Sequence, residues 1–258
     1  ASSIQRLTIM PIYFNWPINW RDSIIASLVI ISFVSLFFVE PISQDLTYHN
    51  FADSRTMLGI SNFFDVASNL PFIFVGLLGI FCIINNWGVS SSWSWLILFL
   101  AVFFVSFGSS YYHLSPENKT LTWDRIPMAI GFMALFVIVL TDYVNNRLEK
   151  WLLIPMCLVG ICSVIYWHIT DDLRIYAWVQ FVSMALLLII ISVYKPNYLK
   201  TKYLIYAFVF YTLSKLAEHF DKQIFELMGQ IVSGHSIKHL LAAITTFFFY
   251  ILLKQRAT

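Results

Sequence analysis

Long, nearly charge-free apolar runs constrain this chain more than any other feature. A run of about 20 apolar residues, coiled as a helix, crosses roughly 30 Å of hydrocarbon. Eight such runs are read near residues 23–40, 63–84, 93–113, 125–144, 151–169, 175–194, 201–218 and 230–253. The loops between them are short, so no second soluble domain fits, and neither an internal repeat nor a low-complexity tract interrupts the pattern. Only 12% of residues are charged, about half the share of an ordinary soluble domain. The 24 Phe, 13 Tyr and 9 Trp suit lipid-facing helices with aromatic belts. The expected fold class is therefore all-α, a polytopic transmembrane helix bundle of about eight spans.

The first run ends Leu36-Phe37-Phe38-Val39-Glu40, which offers no small-residue cleavage pattern, so it reads as a retained anchor. The stretch before it, with Trp16, Trp20 and Arg21, reads as interfacial. Cys82, Cys157 and Cys162 all fall inside apolar runs without metal or redox spacing. They read as small buried hydrophobes.

Eight spans place both termini on one side. On that side lie Arg6, Arg21, Arg147, Lys150, Lys195, Lys200, Lys202, Lys254 and Arg256. Opposite them lie Arg55, Lys119, Arg125, Arg174 and Lys222. Lys215 and Lys238 fall within helices. Nine basic residues against five predict cytoplasmic termini by the positive-inside rule. On this topology all six histidines gather at the extracytoplasmic end.

Three stretches there carry candidate chemistry: Ser109-Ser110-Tyr111-Tyr112-His113, Trp123-Asp124-Arg125, and Ser233-Gly234-His235-Ser236-Ile237-Lys238-His239. Residues four apart share a helix face at about 6 Å, so His235 and His239 can meet one metal ion, and Ser109 shares a face with His113. Asp124 is expected where the next helix begins. His235 and His239 are expected about one and two turns into the last helix, at the depth His113 reaches from the other direction. Three neutral imidazoles with one water form the donor set of an open catalytic zinc site. A lone His-x3-His arises by chance; His113, Ser109 and Asp124 at the same depth strengthen the metal reading. His49, His168 and His219 read as structural or supporting groups. Lys215 reads as the helix partner of Glu218, and Lys238 as the partner of an outer carboxylate. Asp171-Asp172 and Glu218-His219-Phe220-Asp221 read as solvated acidic loops that could also take a second cation.

At these residues the chain resembles the alkaline ceramidase family and the wider superfamily of membrane hydrolases and receptors around it. That superfamily is marked by Ser-x3-His, a following Asp and a late His-x3-His, here Ser109/His113, Asp124 and His235/His239. The stretch Asn62-Phe63-Phe64-Asp65-Val66-Ala67-Ser68-Asn69-Leu70 is similar to the ceramidase first-helix pattern. The resemblance covers about residues 48–253. It implies a seven-helix hydrolase domain over residues 45–258, preceded by an interfacial segment and an extra helix over residues 1–44. It also implies Zn²⁺ held by His113, His235 and His239, with Asp124 and Ser109 catalytic. The implied reaction is hydrolysis of a ceramide-like membrane lipid to fatty acid and sphingoid base. Calcium, held in some eukaryotic members by an acidic N-terminal segment and a Glu, is not expected: here the Glu position is Asn62 and the segment reads His49-Asn50-Phe51-Ala52-Asp53-Ser54-Arg55. Two alternatives stay open. One is an ester hydrolase acting on a phospholipid or lipid anchor at the same site. The other is a receptor, resembling the adiponectin and progestin receptors, with structural zinc. No nucleic-acid partner is expected, and oligomeric state is left open.

Overall fold

In the computed structural model, residues 19–257 are described. Trp16 and Arg6 lie outside them. Among the described residues the fold is all-α, with a single isolated bridge between Met57 and Ile60. The helices are α1 (Trp20–Ser35), α2 (Phe63–Ala67), α3 (Leu70–Asn85), α4 (Ser92–Leu114), α5 (Asn118–Tyr143), α6 (Leu148–Thr170), α7 (Arg174–Ala177), α8 (Ser183–Val193), α9 (Thr201–His219), α10 (Asp221–Leu227) and α11 (Gly234–Ala257). One π-helical turn, Trp178–Val182, joins α7 to α8.

Among the described residues, seven segments are long and apolar enough to cross a membrane: Trp20–Phe38, Phe63–Asn85, Ser92–Leu114, Asn118–Tyr143, Leu148–Thr170, Arg174–Val193 and Gly234–Arg256. The protein is a multi-pass membrane protein. The eighth expected span corresponds to α9, which falls outside this set. Its 19 residues include Lys202, Lys215 and Glu218, and those charges remove the uninterrupted apolar stretch that defines the other seven.

Helix α5 is the hub. It is buried continuously from Met133 to Tyr143 and packs between α4 and α6, while α11 lies against α9 and α3. Leu98, Phe99, Val102, Ile138, Ile190 and Leu252 belong to the shared apolar core. Helix α1 stands apart, with no buried residue. Asn19 caps it, accepting from the amides of Arg21 and Asp22 at 2.8 and 3.2 Å, in a capping box closed by the Asp22 carboxylate. It is tied to the bundle by Tyr194 Oη, which donates to Asp22 Oδ1 at 2.5 Å, by Trp178 Nε1, which donates to Ser32 Oγ at 3.1 Å, and by Ile25 and Val29 packed on the core. Just beyond it, Arg174 Nη1 donates to the Leu36 carbonyl at 2.9 Å. Arg174 also forks onto Asp172, and its guanidinium holds that carboxyl down at about 2.

Two helix starts differ from the sequence expectation. Helix α5 begins at Asn118, not near residue 125, because Glu117 and Thr120 form a capping box that starts the helix in polar sequence. Asp124 therefore lies nearly two turns inside a helix rather than at its start. Helix α11 begins at Gly234, so His235 sits in its first turn and His239 in its second. A Cβ on Gly234 would stand 2.3 Å from the Ala217 carbonyl oxygen. Only a glycine lets this helix start so close to the end of α9.

Candidate metal centre and the cavity beside it

His113, near the end of α4, meets His235 and His239 from the start of α11. Each offers one ring nitrogen, the three atoms lie within 4.8 Å of one another, and all three residues are buried. His113 Nε2 and His235 Nε2 are 3.3 Å apart. Two nitrogens bound tetrahedrally to one zinc at about 2.0–2.1 Å stand about 3.3–3.4 Å apart, so this spacing fits a shared ion. The group can hold a metal.

The surroundings orient the rings. Ser68 sits in the break between α2 and α3, where its hydroxyl donates to the Asp65 carbonyl at 3.0 Å. With that proton committed, Ser68 Oγ accepts from His239 Nδ1 at 2.7 Å. The hydrogen on Nδ1 leaves the Nε2 lone pair of His239 free for a ligand. Asp65 Oδ1 accepts from Ser236 Oγ at 2.7 Å and Ser233 Oγ at 3.2 Å, which pins the first turn of α11. Asp221 Oδ1 caps the same turn by accepting from the His235 amide at 2.7 Å. Its other oxygen accepts from the Ala52 amide at 2.8 Å, tying in the first loop. That loop lays Phe51 over the site, with ring centroids 4.7 Å from His113 and 4.5 Å from His235. His113 Nδ1 is buried and without a hydrogen bond.

Asp124 and Ser109 stand side by side, and with His239 they line one end of a cavity of about 350 Å³. A local device brings α4 and α5 together there. Pro127 has no N–H for the carbonyl of Trp123, four residues back. Gly108 faces that same carbonyl, and a Cβ on it would stand 2.2 Å from the oxygen. The helices can touch at this level only because one lacks a side chain. From Asp124 the cavity follows α5 to Val139, past Met128, Gly131, Phe132 and Leu135. Fifteen residues at about 1.5 Å each make this roughly 22 Å of largely apolar wall. The π-turn contributes Gln180, which donates to Tyr211 Oη at 2.8 Å; both line the cavity.

The remaining histidines lie outside the cluster. His49 bonds Tyr112 Oη at 2.8 Å and Asn118 Oδ1 at 3.0 Å, and His168 bonds Thr122 Oγ1 at 2.9 Å. His219 packs its ring on Phe220. Lys215 and Lys238 both reach Glu218, at 2.9 and 3.1 Å, as the sequence suggested. Unforeseen were the placement of this triad in the cavity wall and the 2.7 Å approach of Lys238 Nζ to His235 Nε2. Nor are the acidic stretches simply solvated: Asp172 is bound by Arg174, Asp171 accepts from the Gln44 amide, and Asp221 is used twice. Sequence reading also missed the work of Ser68, Asp65 and Phe51. Ser68 and Asp65 lie inside the first-helix stretch already singled out, but nothing in their spacing names His239 or Ser236 as partners.

No curated protein and no solved structure matches the chain. A family model described as ceramidase matches residues 49–220. The match takes in Ser109, His113 and Asp124 and stops short of His235 and His239, which the fold adds. Two thirds of the chain follow that family's pattern, and the remaining helix completes a buried three-histidine group beside it: the chain belongs to the ceramidase family.

Proposed function

We propose that the protein is a zinc-dependent intramembrane amide hydrolase that cleaves a ceramide-like lipid to a fatty acid and a sphingoid base. One observation carries the reading: a buried three-histidine group meets, through His239 and beside Asp124 and Ser109, the end of a long apolar cavity. A lipid chain fits the apolar wall, and the bond to be broken then lies at the polar end.

His113, His235 and His239 would hold the metal. Bound there, zinc supplies Lewis acidity and lowers the pKa of water. Asp124 takes the proton of the attacking water and returns it to the departing amine. Ser109 donates a hydrogen bond to the oxygen on which negative charge develops. Both roles are felt chiefly in the transition state, so substitutions at these positions lower turnover more than apparent affinity. Ser109→Ala is expected at the mild end of about 10²–10³ in turnover.

The domain reading places this hydrolase in residues 45–258, with residues 1–44 an addition. Eight spans, with α9 as the eighth, put both termini in the cytoplasm and the metal site near the extracytoplasmic face. Arg125 and Arg256 are buried within helices, and taking one from each side of the basic count leaves eight against four, the same sense. In a background lacking Cys82, Cys157 and Cys162, a cysteine placed after Lys254 is expected to resist an impermeant thiol reagent in intact cells. One beside Lys119 is expected to label.

The deciding experiment measures metal content and lipid cleavage on the same purified protein, by intact-mass analysis of ceramides and phospholipids. About one zinc per chain with fatty acid released from ceramide is the expected result. Cleavage of phospholipid alone selects the ester hydrolase. Zinc without any cleavage above a zinc-stripped control selects the receptor reading.

A further inference from the structure

Arg125 follows Asp124 in the chain and lines the same end of the cavity, yet the proposed chemistry gives it no task. It is only 7% exposed. Its guanidinium carbon lies 4.0 Å from the Trp167 ring centroid and 4.8 Å from that of Tyr176. Nη2 donates to Gln44 Oε1 at 2.6 Å, while Nη1 is buried and makes no hydrogen bond. Other buried or half-buried cations of the bundle have a carboxylate in contact: Lys215 and Lys238 share Glu218, Arg174 has Asp172, and Arg256 has Asp142. Among the described residues, no carboxylate lies within ion-pair distance of Arg125.

A guanidinium stays charged in any protein setting and carries five N–H donors. Ring faces offset part of the cost of burying it, and one amide oxygen offsets a little more. A buried charge with no carboxylate in contact is still costly. The cavity wall shows the same imbalance. Arg125, Lys215 and Lys238 face it against Asp124 and Glu218, and Glu218 is already shared by the two lysines. The planar fork of arginine matches paired oxyanions better than any other side chain does.

We propose that Arg125 anchors an anionic headgroup, a phosphate, sulfonate or carboxylate, carried by the amide lipid that occupies the cavity. The proposal rests on the amide-hydrolase reading for what is cleaved, but not for what is bound. Held by Arg125, the headgroup stands at the level of Asp124 and the histidines, and the chains run along α5 toward Val139. Among ceramide-like amide lipids, the preferred substrate is then one that carries an anionic headgroup.

The test compares an N-acyl lipid bearing a phosphate headgroup with its neutral counterpart. Binding to the detergent-solubilised parent protein is measured by calorimetry and cleavage by intact mass. Inorganic phosphate and free fatty acid serve as competitors, separating a lipid headgroup from a loose anion and from the product's carboxylate. The parent is expected to favour the phosphate lipid. Arg125→Gln is expected to lower that preference by about 10- to 100-fold, the weight of a charge-assisted pair. Arg125→Lys, which keeps the charge but loses the fork, should fall between them. The ratio is read within each variant, so a general loss of folded protein cancels, and the parent's own preference needs no variant. Equal binding of the two lipids by the parent, or a preference unchanged in Arg125→Gln or Arg125→Lys, overturns the proposal. Equal displacement of the phosphate lipid by inorganic phosphate or fatty acid at matched concentration overturns it as well. Selective binding without cleavage would instead overturn the hydrolase reading and leave the anchor standing; cleavage without headgroup preference would do the reverse.

Discussion

The two ends of the bundle treat their buried ionisable side chains differently. Near the end of α5, the Asp142 carboxylate accepts from the amides of Leu199 and Tyr198 at 3.0 and 3.3 Å and from Arg256 Nη1 at 3.3 Å. The Asp142 carbonyl accepts from the backbone amide and from the side-chain Nδ2 of Asn197. This carboxylate is saturated by its own protein, although Arg256 Nη2 and Thr141 Oγ1 near it are buried without a hydrogen bond. At the other end, about 32 Å away along α11 from Arg256 to His235, three histidine nitrogens face one another and Lys238, and His113 Nδ1 and Asp65 Oδ2 have no hydrogen bond. Buried polar groups are costly unless satisfied, and a native protein rarely leaves several open together. A carboxylate saturated by the chain reads as structure; three histidine nitrogens converging beside a cavity read as a site awaiting a ligand.

The sharpest way to break this contrast is to remove the open end. The double variant His235→Ala/His239→Ala is expected to drop from about one zinc per chain to near none and to lose lipid cleavage to background. Elemental analysis of purified protein checks it, and full zinc retention would show that the ion sits elsewhere. Next in size is Asp124→Asn, which keeps shape but cannot take a proton. Turnover is expected to fall by about 10²–10⁴ with zinc content intact; parent-like turnover would remove Asp124 from the mechanism.

The closed end should respond in a different currency. Asp142→Ala strands the Arg256 guanidinium, and breaking one side of a buried pair typically costs about 3–5 kcal/mol. A lower unfolding midpoint in detergent is expected, while the zinc bound per folded molecule stays the same. If zinc were lost in parallel before unfolding, the two ends would be coupled and the contrast would fail. The smallest effect belongs to Ser68→Ala, which removes the acceptor that orients His239. Loss of such a supporting bond typically weakens metal binding by about 10–100-fold. Competition with a graded series of chelators reads it directly, and an unchanged affinity would mean that helix packing alone holds the ring.

Hydropathy made most of the fold legible, because crossing lipid demands long apolar helices and little else does. Seven of the eight expected runs are long apolar helices. The eighth shows the limit of composition: α9 packs on α11 with Lys215 and Glu218 paired inside the protein, so its charges are satisfied by neighbours that hydropathy does not register. Helix starts were misplaced for a related reason. Glu117 and Thr120 begin α5 through capping bonds, and caps are polar residues that an apolar scan discards.

By itself, the sequence determined which residues could converge. Helical spacing put His235 and His239 on one face and Ser109 on the face of His113, since 3.6 residues per turn is a local property of the backbone. Tertiary structure alone decided what they meet. The contact of Gly108 with the Trp123 carbonyl, the pairing of Ser68 with His239, and the burial of Arg125 between Trp167 and Tyr176 all join residues on separate segments. Such contacts depend on packing among side chains distant in sequence, which no local periodicity encodes.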